Sequence, residues 1–116
     1  MAEEEKPVEF CGDSLDQLRA FPQTAKQDMG YQIGRVQAGL EPEDSRPMKT
    51  VGNGVYEIRV KDETGAYRTF YIAKRQDAIY VLHCFQKKTE KTAPKDLALG
   101  KQRFKELPPE PPKSRK

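Results

Sequence analysis

Apolar and polar positions alternate most regularly between residues 47 and 92, PMKTVGNGVYEIRVKDETGAYRTFYIAKRQDAIYVLHCFQKKTEKT. After the turn residues Gly52-Asn53-Gly54 and the approach residue Val55, Tyr56, Ile58 and Val60 alternate with Glu57, Arg59 and Lys61. Period two with those residue types predicts a strand that buries one face and charges the other. Asp62-Glu63-Thr64-Gly65 closes a hairpin, AYRTFYIA returns as a second strand, and Arg75-Gln76-Asp77 makes the next turn. The third strand, AIYVLHCF, is almost continuously apolar, as a strand covered on both faces is, and is expected at the centre of an antiparallel sheet.

The first half of the chain changes period. Pro7 to Cys11 reads as a short strand, and Gly12-Asp13-Ser14 supplies turn and N-cap chemistry. Leu15, Leu18 and Phe21 then recur at helical spacing up to Pro22. Beyond it Ala25, Met29, Ile33 (or Gln32), Val36 and Leu40 line one face of a helix of roughly five turns. Gly30 and Gly34 lie inside it at i, i+4, a spacing that suits close packing against a neighbour. Gly39 and Pro42 end the helix, and EPEDSRP reads as a polar linker to the sheet. Pro94 starts a last helix with Leu97, Gly100 or Lys101, and Phe104 inward. The pattern predicts an α+β domain over residues 1–107, with about four antiparallel strands, two N-terminal helices and a C-terminal helix. Residues 108–116 are expected to form a flexible, proline-rich basic tail.

Composition changes this picture in one respect. The formal charge is +3, but residues 1–44 hold four Lys or Arg against ten Asp or Glu, whereas residues 45–116 hold seventeen against eight. The cations of the second half fall on strands and directly after them, and a cationic sheet most commonly meets phosphate. Cys11 and Cys84 lie in apolar strand contexts without CxxC spacing, which predicts buried thiols rather than a metal site or a disulfide and suits a cytoplasmic location. The acidic opening MAEEEKP has no apolar leader, and no run approaches the ~18 apolar residues of a spanning helix.

Phosphate-loop, nucleophile-elbow and paired-histidine zinc motifs are missing, so neither cofactor nor metal is expected. What remains is a set of cations with Tyr71, Tyr80 and His83, residues that can grip a phosphodiester, stack on bases and move protons. Ribonuclease chemistry needs no more, because RNA carries its own nucleophile, the 2′-hydroxyl.

PMKTVGNGVYEIRV, AYRTFYIA and VLHCFQKKTEKTAPKDLALGKQRFKE together resemble the phage-derived, HigB-like branch of the RelE/ParE toxin superfamily, from about Pro7 to Glu106. The most specific element is Phe85, Lys87, Lys88, Thr89, Lys91 and Thr92, placed after a strand and before a helix. The resemblance implies a RelE-like fold, with the two N-terminal helices packed on one face of an antiparallel sheet, and the toxin of a type II toxin–antitoxin module. It implies a metal-independent endoribonuclease that cuts mRNA on the ribosome, inhibits translation and is neutralised by a helix-turn-helix antitoxin. Two other readings are a ParE-like gyrase poison and a non-catalytic nucleic-acid-binding or interaction module.

Carried over by position, Arg59 and Arg68 fall where such toxins hold a basic residue and a phosphate-gripping arginine on the active face, and Lys87 or Lys88 takes the basic position at the end of the last strand. His83 and Tyr71 complete the candidate catalytic set, and Lys49, Lys88, Lys91 and Lys95 are the candidate RNA- or ribosome-binding residues. Arg59 and Arg68 are both expected at the surface. The sequence departs from the family pattern twice: Glu57 stands where the best-known members have a second lysine, and no carboxy-terminal tyrosine or histidine follows, the segment here being TAPKDL.

Overall fold

The computed structural model describes residues 5–109, so the acidic opening at 1–4 and the tail from 110 onward lie outside the described residues. The chain runs β1 (Val8–Phe10), α1 (Ser14–Arg19), α2 (Gln23–Gln37), β2 (Ser45–Pro47), β3 (Val55–Asp62), β4 (Gly65–Ile72), β5 (Ile79–Lys87) and α3 (Pro94–Lys105). These make one five-stranded sheet in the order β1-β5-β4-β3-β2. Four strands are antiparallel neighbours, but β1 joins β5 in parallel, with Glu9 opposite Tyr80. The sheet is therefore mixed and five-stranded, not antiparallel and four-stranded. The additional strand, β2, lies in the stretch expected to be linker. β5 is internal but not central, since β4 occupies the middle.

Local chemistry sets the hairpin. Asp62 Oδ1 accepts from the backbone N–H of Thr64 at 2.8 Å and from its hydroxyl at 2.6 Å, which holds a two-residue loop and pairs Asp62 with Gly65. Every pair upstream follows from that closure, including Arg59 opposite Arg68 and Glu57 opposite Phe70.

α1 and α2 cover one face of the sheet. Leu18, Phe21, Ala25, Met29, Ile33 and Val36 bury against Ile58, Val60, Tyr67, Tyr71, Val81 and Cys84. Met29, Ile33 and Val36 each contribute roughly 1.5–3 kcal/mol by burial. That outweighs the cost of about 1 kcal/mol each for Gly30 and Gly34. The two glycines face open space, contrary to the close packing their spacing suggests. The helix ends in a Schellman turn: Gly39 has φ +86°, and the Leu40 N–H reaches the carbonyl of Arg35 at 2.9 Å. Leu40, expected on the buried stripe, falls past this cap and is 53% exposed.

α3 covers part of the opposite face. Leu97 and Phe104 pack with Val51, Val55, Phe70, Leu82 and Phe85. Gly100 lies so close to the sheet that a Cβ there would stand 2.8 Å from the Phe70 ring, which resolves the Gly100-or-Lys101 alternative in favour of glycine. Among the described residues, no helix is long and apolar enough to cross a membrane.

Candidate nucleic-acid interface

Residues paired across a sheet point to the same face, and alternate residues along a strand return to it. Arg46 on β2 pairs with Glu57 on β3, Arg59 pairs with Arg68 on β4, Arg68 pairs with Phe85, and Ala66 pairs with Lys87 on β5. Arg46, Glu57, Arg59, Arg68 and Lys87 thus share the α3 face, on a part of it outside the apolar cluster that α3 buries. α1 and α2 bury their apolar residues against the opposite face. The result is a band of cations across four strands, with one carboxylate among them.

That carboxylate is buried. Glu57 is 3% exposed, and its Oε2 lies 3.8 Å from Nε of Arg68, itself 8% exposed. Burial pushes the Glu57 carboxyl above its ordinary value of 4.5, while Arg68, Arg46, Arg59 and Lys87, in that order, pull it back down. The Arg68 guanidinium donates through Nη1 to the carbonyl of Tyr67 at 3.1 Å. Among the described residues its Nε is buried without a hydrogen-bond partner, because 3.8 Å is beyond a hydrogen bond. Burial lowers the Arg68 pKa, Glu57 opposes that shift, and Arg59 reinforces it. The expected surface position of Arg68 is therefore corrected: it forms part of a buried ion pair. Arg59 is half-buried, in keeping with a cation that reaches solvent.

The remaining candidates divide by location. Lys87 is on the cation face, but its ammonium donates to the carbonyls of Thr89 (2.9 Å) and Glu90, folding the following loop back on the strand end. Lys88, Lys91, Lys95 and Lys49 are exposed. Lys87, Lys88 and Lys95 line a cleft of about 580 Å³ with Tyr67 and Phe85, between the end of β5 and the start of α3.

Two candidates do not join the arginines. Tyr71 is three residues from Arg68, an odd separation in a strand, and so lies on the opposite face, buried under α2. Burial, with Tyr56 nearby at 6.3 Å between rings, pushes its hydroxyl up to about 12. His83 is on the arginine face because β5 shifts register at a bulge, so that Phe70 pairs with His83 and Tyr71 with Val81. It is nevertheless held beneath α3. Nε2 lies 2.7 Å from Asp96 Oδ1, Nδ1 lies 3.4 Å from Arg103 Nη1, and the ring stacks on Phe85 at 5.0 Å. The hydrogen-bond pattern assigns a neutral ring that donates from Nε2 to the carboxylate and accepts at Nδ1 from the guanidinium. Burial holds its pKa below 6.5 despite Asp96. With both nitrogens occupied, His83 serves as a strut between β5 and α3. Arg103 extends that strut to Asp13 at 2.8 Å and to the Leu82 carbonyl at 3.1 Å.

Arg46 and Glu57 are the members of the cluster that the sequence pattern left out of the site. Arg46 had no strand signal to place it, because β2 is three residues long and ends in proline. Glu57 was visible as a departure from the family pattern, and the alternation of β3 put it on the charged face, but nothing local announced its burial.

The family model described as "Phage derived protein Gp49-like (DUF891)" matches residues 16–105, which takes in all of α2 and every strand of the cation face. No curated protein matches the chain.

Proposed function

We propose that this chain, which belongs to the Gp49-like family of phage-derived proteins within the RelE/ParE-like toxin superfamily, is the toxin of a type II toxin–antitoxin module of the HigB-like branch and cuts mRNA on the cytoplasmic ribosome. The observation that carries this reading is the register of β3 on β4, which sets Arg59 directly opposite Arg68 on the face away from α1 and α2, with Arg46 beside them. Two guanidiniums on neighbouring strands suit one phosphodiester, which arginine grips through two parallel hydrogen bonds.

The chemistry follows from charge. An RNA strand laid across the face brings a phosphate to Arg59 and Arg68. When the 2′-hydroxyl of the preceding nucleotide attacks in line, negative charge gathers on the phosphoryl oxygens, where fixed cations stabilise it most. The products are a 2′,3′-cyclic phosphate and a 5′-hydroxyl. The exposed lysines Lys49, Lys88, Lys91 and Lys95 add salt-sensitive affinity for ribosomal RNA, and a helix-turn-helix antitoxin masks the toxin in the resting module.

Primer extension on cellular mRNA after induction tests the reading. Codon-phased cuts that disappear when translation is blocked are expected. A DNA-damage response without cuts identifies a gyrase poison instead, and unimpaired growth with soluble protein present refutes toxicity altogether.

A further inference from the structure

The cation face has a feature that binding RNA alone does not require. A strand residue surrounded by arginines would serve a polyanion best as another cation, or as a neutral group. Position 57 instead carries a carboxylate, almost wholly removed from water, with Arg68 at 3.8 Å and Arg46 and Arg59 at paired positions beside it. Burying that charge opposes folding and its sign opposes RNA.

We propose that Glu57 is the proton acceptor for the attacking 2′-hydroxyl, a catalytic residue at the floor of the arginine cluster. The inference rests on the ribonuclease reading above and supplies the base that reading lacks, since His83 is occupied beneath α3 and Tyr71 is on the other face.

Access comes from Arg68. Among the described residues its guanidinium has one hydrogen bond, to its own strand, and a buried Nε with none. A phosphate offers that group better partners than a carboxylate 3.8 Å away, and as Arg68 turns to it, Glu57 is uncovered. The same movement strengthens the base. Arg68, Arg46, Arg59 and Lys87 are the charged groups that hold the carboxyl ionised, with Asp44 near Arg68 as a further acid. When they bind an anion, less of their field reaches Glu57, and burial raises its affinity for a proton.

The step balances without a cofactor. The 2′-oxygen bonds to phosphorus as its proton passes to a Glu57 oxygen, and the bond from phosphorus to the 5′-oxygen breaks. The departing oxygen takes a proton from water, and the resulting hydroxide recovers the proton held by Glu57.

The test is single-turnover cleavage of ribosome-bound mRNA between about pH 5 and 9 by wild type, Glu57→Gln and Glu57→Asp. Affinity for the same mRNA carrying a 2′-deoxy nucleotide at the cut site is measured in parallel. For wild type, the log rate is expected to rise with unit slope and level off as the carboxyl ionises. Glu57→Gln is expected to cut about 10²–10³-fold more slowly and to lose that acidic limb, while binding the deoxy substrate as tightly as wild type or more tightly. Glu57→Asp is expected to recover part of the rate and the limb. If Glu57 only balances charge, Glu57→Gln binds more tightly and cuts at the wild-type rate, which overturns the assignment while the ribonuclease reading stands. A wild-type profile flat through the acidic range overturns it without recourse to any variant. A wild type that cuts nothing refutes the ribonuclease reading, and this inference with it.

Discussion

Replacing Arg68 by alanine separates what the surface pattern implies from what the packing implies. Read as an exposed strand residue, Arg68 should cost activity and leave stability unchanged. In the structure it is the nearest counter-charge to a carboxylate that is 3% exposed. At 3.8 Å, with an effective dielectric of about 20, their attraction is on the order of 4 kcal/mol. Two effects reduce the net loss. Arg46, Arg59 and Lys87 still act on Glu57, and removing Arg68 relieves that residue's own desolvation. A destabilisation of about 1–3 kcal/mol remains at pH 7–8, which corresponds to a fall in Tm of roughly 4–12 °C. The loss should shrink toward pH 5, because a carboxyl without its partner escapes burial of charge by taking up a proton. Arg59→Ala, at a half-buried position, should change stability by less than about 0.5 kcal/mol. Each variant should remove about 2–4 kcal/mol of transition-state stabilisation in the cleavage assay. The stability measurement is urea denaturation of wild type, Arg68→Ala, Glu57→Gln and the double variant. Coupling requires that Glu57→Gln rescue much of the Arg68→Ala loss. An unchanged midpoint for Arg68→Ala at pH 8, or strictly additive effects in the double variant, refutes the buried pair as an energetic unit.

Gly30→Ala and Gly34→Ala should each stabilise the isolated protein by up to about 1 kcal/mol, because both sites face open space within a helix; destabilisation by either in thermal melts would show that α2 needs its glycines. His83 is held neutral below its ordinary pKa of 6.5, so the unfolded chain takes up a proton first as pH falls, and His83 lowers stability progressively below about pH 6.5. His83→Gln should flatten that part of the stability profile relative to wild type, and parallel profiles would refute the assignment. Replacing exposed Lys88 and Lys91 by glutamine should weaken ribosome binding and reduce its log–log salt slope by roughly 0.7–0.9 for each phosphate that is no longer neutralised; equal slopes in a salt titration would show that these lysines only solvate their loop.

The local part of this protein was legible in the chain. Helical spacing selected Ala25, Met29, Ile33 and Val36, and each is buried on α2. The Asp62–Gly65 closure fixes the register of β3 on β4 through bonds between near neighbours, so Arg59 opposite Arg68 follows from counting outward from the turn. The same counting separates Tyr71 from the arginines, since an odd step along a strand changes face. Other features depended on distant segments. β1 pairs with β5 across some seventy residues of sequence, and β2 exists because β3 offers it an edge. The bulge that turns His83 beneath α3 depends on how β5 meets β4, and the bonds to Asp96 and Arg103 that occupy its ring come from a helix that begins after the strand has ended. Glu57 is the sharpest case. Its residue type and face were evident in the sequence, but burial is a property of everything around a side chain, and the arginines that surround it come from three strands whose alignment only the folded sheet establishes.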